Sequence, residues 1–277
     1  MDVLEAVRDL KTPRYPFIRK AKSLVDSPTA RFDATSQISF SAPGCGFPVY
    51  WQQSKFQPLQ DLYSVIQDMC GYSIMVSEHC QGIRFHDSLA NLADRRNHIQ
   101  HRVMSLPPHP SAPGGADSGD LYEATRLAAI IYSLLVVFPI SARTAPFSSL
   151  ATSLRKELLA LDLSNRAHEE LTLLCWILVM AGIAAIGTDE RAWFIYALNN
   201  VSHSLSLVEW DDLKHILKQF LWLDATNDMD GLSLWLEITR LRPLFAQNTP
   251  ATSFTNSTTP SVQGRGTPAY SPSAELP

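Results

Sequence analysis

Residues 171–188 read LTLLCWILVMAGIAAIGT, an apolar run without a single charge. A helix built from it has no polar face to offer water, so other protein or lipid must surround it. The run barely reaches the length needed to cross about 30 Å of hydrocarbon. Its last third, GIAAIGT, is small and weakly apolar. Enclosure by protein is the simpler solution, and it requires several neighbours with apolar faces of their own.

The flanking sequence supplies them. Leu59, Leu62, Tyr63, Ile66, Met69 and Cys70 recur at three- and four-residue steps, the spacing of an amphipathic helix. Gly71 is expected to weaken its end, although Ile74 and Met75 continue the pattern. A second helix over about 85–104 aligns Phe85, Leu89, Leu92, Ile99 and Val103. Arg96 falls on that stripe, where its stem can lie on apolar surface with the charge outside. DLYEATRLAAIIYSLLVVFP is a strong helix signal stopped by Pro139, and Leu150, Leu154, Leu158 and Leu161 align in a shorter helix over 149–161. After the apolar run, Gly187 ends one helix and Asp189 is placed to cap the next, with Trp193, Phe194, Ala197, Leu198 and Val201 on a broad face. Ser206 and Glu209 have capping-box spacing ahead of Trp210, Leu213, Ile216, Leu217, Phe220 and Leu221. A last helix takes in Leu232, Trp235, Ile238 and Leu241 and is expected to stop before Pro243.

The expected fold is all-α, a multi-helix bundle or irregular helical array with a disordered C-terminal tail. Residues 1–55 form a poorly defined segment with a short helix over about 2–10. Its Ser-, Pro- and Gly-rich stretch ends in SFSAPGCGFPVYW, pinned to the core by Phe47, Tyr50 and Trp51. Residues 56–245 form the helical domain, interrupted at 106–119 by a Pro- and Gly-rich loop. That loop joins two helices of one bundle, because the helices before it lack partners for their stripes. Residues 246–277 are rich in Ser, Thr and Pro and too poor in core residues to offset the entropy of ordering.

Little here points to chemistry. The formal net charge of -4 lacks the basic footprint of a nucleic-acid binder, and the excess of Lys and Arg in residues 1–31 suits a solvated face. The four cysteines, Cys45, Cys70, Cys80 and Cys175, lie far apart with no apolar leader before them, so reduced thiols are expected. His98 and His101 are three apart on a helix but lack a further ligand at a specific spacing. His79 and Cys80 are adjacent and diverge, and no CxxC pair exists. GxSxG and HExxH are absent. His168, Glu169 and Glu170 cover the start of the apolar helix, and Asp61 and Asp68 share a helix face available to solvent. Gly44 and Gly46, like Gly114 and Gly115, lack the strand and helix of a phosphate cradle. Trp176, Trp193, Trp210, Trp222 and Trp235 stand among leucines at core-like positions, although an apolar pocket between helices has the same signature. No catalytic, cofactor-binding or metal-ligating residue is assigned and no cofactor is expected. The alternative is a soluble helical enzyme with an unrecognised active site.

The order of several segments resembles the fungal-specific transcription factor domain, the regulatory region found downstream of two-zinc, six-cysteine DNA-binding clusters. LYEATRLAAIIYSLLVVFP at 121–139, LLCWILVMAGIAA at 173–185, ERAWFIYAL at 190–198 and LKHILKQFLWLDATNDMDGLSLWLEI at 213–238 carry the likeness. FHDSLANLADRRNHIQHRVMSLP at 85–107 suits the helix before that family's variable loop. The likeness spans roughly 85–245 and is vague over 1–84. It implies a nuclear, non-catalytic regulatory domain, often tied to metabolic or secondary-metabolite pathways. It would act through transcription-regulatory proteins, self-association or a small-molecule effector, without a membrane. Four cysteines cannot build the six-cysteine cluster, so sequence-specific DNA binding by this chain alone is not expected.

Overall fold

The computed structural model describes residues 43–54, 56–82, 89–108, 121–140, 145–161 and 166–248. The expectations for the helix near 2–10, for Phe85 and for the far C-terminal tail lie outside these residues. A 3-10 turn at Val49–Gln53 leads into α1 (Gln57–Cys80) and α2 (Leu89–Ser105). Then come α3 (Tyr122–Tyr132), continued by a wider π turn at Ser133–Val137, α4 (Phe147–Leu159) and α5 (His168–Ala184). The last three are α6 (Arg191–Ser204), α7 (Trp210–Leu217) and α8 (Asp224–Asn248). All regular structure among the described residues is helical. The chain divides into units Met1–Arg242 and Pro243–Pro277, and residues 243–248 of the second are helical.

The apolar run forms α5, which packs against α3, α4, α6 and α7. Leu173 through Ala184 are all buried, whereas Glu169 and Glu170 sit in the first turn and favour its positive end. No described helix is long and apolar enough to cross a membrane. Each fully buried Leu, Ile, Val or Met is worth about 1.5–3 kcal/mol over its exposed state, so this helix anchors the core. Gly182 permits the closest approach. A Cβ there would stand 2.6 Å from Cδ2 of Leu234 on α8.

α3 is buried all round, its charged residues included. Arg126 donates from Nε and Nη2 to the two carboxylate oxygens of Glu123, at 2.8 and 2.6 Å. The fork satisfies both charges locally, three residues apart. The π turn closes with the Phe138 N–H donating to the Ser133 carbonyl at 2.7 Å, just before Pro139. The Arg96 guanidinium lies 4.8 Å above the Phe138 ring, so its charge rests on an aromatic face.

Several local expectations are corrected. At Gly71 the continuation through Ile74 and Met75 is the one formed, and α1 runs to Cys80 with Tyr72 and Ser73 on its buried face. Ser206 is not a cap: its φ of 56° is left-handed. The capping box is one turn later, with Glu209 as cap and Asp212 accepting from the Glu209 and Val208 N–H groups at 2.9 and 3.0 Å. Asp189 does not cap α6. Glu190 takes the N-cap position without a side-chain bond to the helix, and its carboxylate accepts from Arg155 at 2.5 Å instead. α8 begins at Asp224 and passes through Pro243, whose fixed φ suits a helix and whose missing N–H removes one bond. Its helical turns include Ala246 and Gln247, which composition assigns to the tail. Its core face carries Gly231, Leu234, Trp235 and Ile238, whereas Leu232 is exposed.

Candidate functional site

One concavity among the described residues is organised by the turn that precedes α1. Gly44 has φ +87°, and a Cβ there would lie 2.6 Å from the Cys70 sulfur, so backbone conformation and space both require glycine. The Gly46 N–H donates to the Gln219 carbonyl at 2.8 Å. Phe47 is buried edge-on against Trp176 at 5.2 Å and Phe220 at 5.0 Å. Trp176 stacks with Phe220 at 6.0 Å and donates from Nε1 to the Leu221 carbonyl at 2.9 Å. This aromatic cluster ties the turn, α5 and the connection between α7 and α8 into one support.

Above that support lies an open cleft of about 400 Å³. Ser73, Ser77 and Glu78 of α1 form one side, Lys218, Trp222 and Asp224 the other, with Pro43 between. Ser73 donates to the Met69 carbonyl at 2.8 Å and accepts from the Tyr132 hydroxyl at 2.7 Å. Burial raises the Tyr132 phenol well above its ordinary value and keeps it neutral. Opposite, Lys218 reaches Asp224 at 2.9 Å, and Lys214 bridges Asp224 and Asp228 at 3.2 and 2.5 Å. Trp222 donates to Asp228 at 2.9 Å. Partial burial pushes the Asp224 carboxyl upward, but Lys218 and Lys214 outweigh it and hold the group below its ordinary value. The hydrogen bond to Asp228 is the main reason the Lys214 ammonium is raised. The cleft thus presents compensated charges, serine hydroxyls and an indole, a surface suited to binding.

The residues tested from sequence do not converge. Asp61 accepts from Gln57 at 2.9 Å, and Asp68 pairs with Arg102. Glu170 stands 3.8 Å from Arg166 at the start of α5. His98 and His101 lie on α2, and no group of three His, Cys, Asp or Glu among the described residues could hold a metal ion. Burial raises the Cys70 and Cys175 thiols to about 12, which suppresses their thiolates. Of the tryptophans singled out, Trp176 and Trp235 are buried in the core, and Trp222, also mostly buried, edges the cleft. Trp193 instead borders a second groove of about 210 Å³ with Tyr196 and Asn200. Sequence reasoning missed the Ser73–Tyr132 pair and the approach of Gly44 to Cys70. Only the GCG turn signal hinted at the latter.

The described residues form a helical array whose clefts are lined by hydroxyls, paired charges and indoles. The sequence model of the fungal specific transcription factor domain matches residues 59–240, and the chain belongs to this family. No curated protein and no solved structure matches the chain. The family is non-catalytic, and its match begins at the first buried leucine of α1 and ends within α8.

Proposed function

We propose that this domain regulates transcription in the nucleus and that it does so by pairing with a second copy of itself through the outer face of α8. The observation that carries this reading is the exposure of Met229 (84%), Leu232 (38%) and Leu236 (45%). These residues follow one another at steps of three and four, so they form a single apolar stripe along the helix. Spacing of that kind lets two helices interdigitate. Asp230 and Arg240 flank the stripe on one side, and neither takes part in an ion pair within the described residues. An antiparallel pair centred near residues 234–235 sets Leu232 against Leu236 of the other copy. It also brings Asp230 towards Arg240 at both ends, which a parallel pair does not. Membership of the family supports nuclear action, and the net charge of -4 supports a role in which promoter reading falls to a separate basic module.

Sedimentation equilibrium of the purified chain tests this reading. The expected result is a concentration-dependent dimer weakened at least about tenfold by Leu236→Glu. Asp230→Arg alone should weaken it further, and adding Arg240→Asp to that variant should restore it. A chain that stays monomeric up to about 100 µM, or an association indifferent to both substitutions, rejects the proposal. The cleft of about 400 Å³ supports a second reading, a small-molecule effector site. Ligand-induced thermal stabilisation that is lost in Trp222→Ala would favour it.

A further inference from the structure

The turn that carries Gly44 also carries a thiol, Cys45, and the turn rests on a second, Cys70. Gly44 packs its backbone on the Cys70 sulfur: a Cβ added to Gly44 would lie 2.6 Å from it. Cys45 is the next residue of the same turn, about 3.8 Å along the Cα trace from Gly44, and it lies near enough to Cys70 to raise that thiol. Cys70 lies on the buried face of α1, whereas Cys45 is half-exposed. Cys80 is exposed at the end of α1 and Cys175 is buried in α5. The four thiols therefore comprise one close pair of unequal access and two separate residues.

We infer that Cys45 and Cys70 are a reversible thiol–disulfide pair, oxidised by low-molecular-weight disulfides such as oxidised glutathione. In the first step the Cys45 thiolate attacks the glutathione disulfide. A bond forms between Cys45 and one glutathione sulfur, the glutathione S–S bond breaks, and the departing thiolate takes up a proton. In the second step Cys70 loses its proton and attacks the Cys45 sulfur, releasing the second glutathione as a thiolate that is then protonated. Two protein thiols are oxidised and one glutathione disulfide is reduced to two thiols. Burial and the neighbouring Cys45 both raise the Cys70 thiol, to about 12, which fits it to the resolving role and makes the second step the slow one.

The bond has a defined structural consequence. The turn holds Gly46 on the Gln219 carbonyl and Phe47 on Trp176, and Pro43 and Ser73 both line the cleft. Joining Cys45 to Cys70 fixes one edge of that cleft to α1. The cross-link also removes freedom from the unfolded chain, because it closes a loop of 26 residues counted from 45 to 70. The oxidised protein is therefore the more stable form.

The test equilibrates the full chain against graded ratios of reduced to oxidised glutathione, followed by alkylation and peptide mapping without reduction. The expected products are a chain lighter by about 2 Da and a cross-linked peptide joining Cys45 to Cys70, with Cys175 reduced throughout. Thermal unfolding of the oxidised form should shift upward by about 5 °C. Cys45→Ser spares the core sulfur and should abolish both the mass change and the shift, whereas Cys80→Ser should retain both. A stable glutathione adduct on Cys45 that never resolves, or a bridge formed by Cys80 in place of either residue, would overturn the inference.

Discussion

α5 and α7 are neighbours stabilised by opposite means. α5 is buried from Leu173 to Ala184 and draws its stability from contact on every side. α7 buries only Leu213, Ile216 and Leu217, and the rest of its hold is polar. Asp212 and Glu209 cap its start, while Lys214 in its last turn reaches Asp224 and Asp228. Apolar contact carries no titrating group and is not screened by salt, whereas caps and exposed ion pairs respond to both pH and ionic strength. The core around α5 should therefore be the last region to open, and α7, which borders the cleft connection, among the first.

The sharpest test removes the contact that joins α5 to the connection leaving α7. Trp176→Ala takes away a fully buried indole and its bond to Leu221, and should lower stability by about 3–5 kcal/mol. Chemical denaturation would show it, and an unchanged midpoint would mean that α5 is not the anchor. Next in size is Gly182→Val, which forces branched carbon into a gap where Leu234 already leaves only 2.6 Å for a Cβ. Overpacking of that kind costs about 1–3 kcal/mol. A neutral result would show that α8 yields locally, which would weaken the case for a rigid outer stripe.

The smallest effects belong to α7. Asp212→Ala should lower the unfolding temperature only slightly while raising amide exchange in the first turn of α7. The same helix should respond to pH. The N–H groups of Glu209 and Val208 hold the Asp212 carboxyl below its ordinary value. Its contribution is present above the unfolded pKa of about 3.9 and is lost as pH falls through the lower folded value. Asp224 behaves in the same direction. Lys214, which is raised, contributes fully below about 10.4 and loses that contribution as pH rises through its folded value. Exchange corrected for intrinsic rate should rise in α7 at both extremes before it rises in α5. Simultaneous opening of the two helices would remove the distinction.

Much of the fold was legible because it followed from which residues avoid water. The apolar run, the leucine stripe of α1 and the stop at Pro139 appear as read, and the stripe of α4 does so through Leu158, Leu161 falling beyond the helix end at Leu159. The errors fall where several local solutions were nearly equivalent. Ser206 with Glu209 and Glu209 with Asp212 have the same spacing, and only the backbone path selects between them. Leu232 and Leu234 are two residues apart with the same chemistry, so sequence assigned the wrong one to the core. The cleft was less legible still, because Ser73, Trp222 and Pro43 come from segments far apart in the chain.

By itself, then, the amino-acid order determined that this protein is helical, that one helix must be enclosed, and which family it belongs to. The first two depend on short-range periodicity and on the cost of hydrating apolar surface, and the third on the order of several distinctive segments. Which face of α8 looks outward, which residue caps α7 and which cysteine the Gly44 turn rests on were decided only when distant segments met. Those outcomes depend on close packing at Gly44, Gly182 and Trp176, where a fraction of an ångström separates contact from collision.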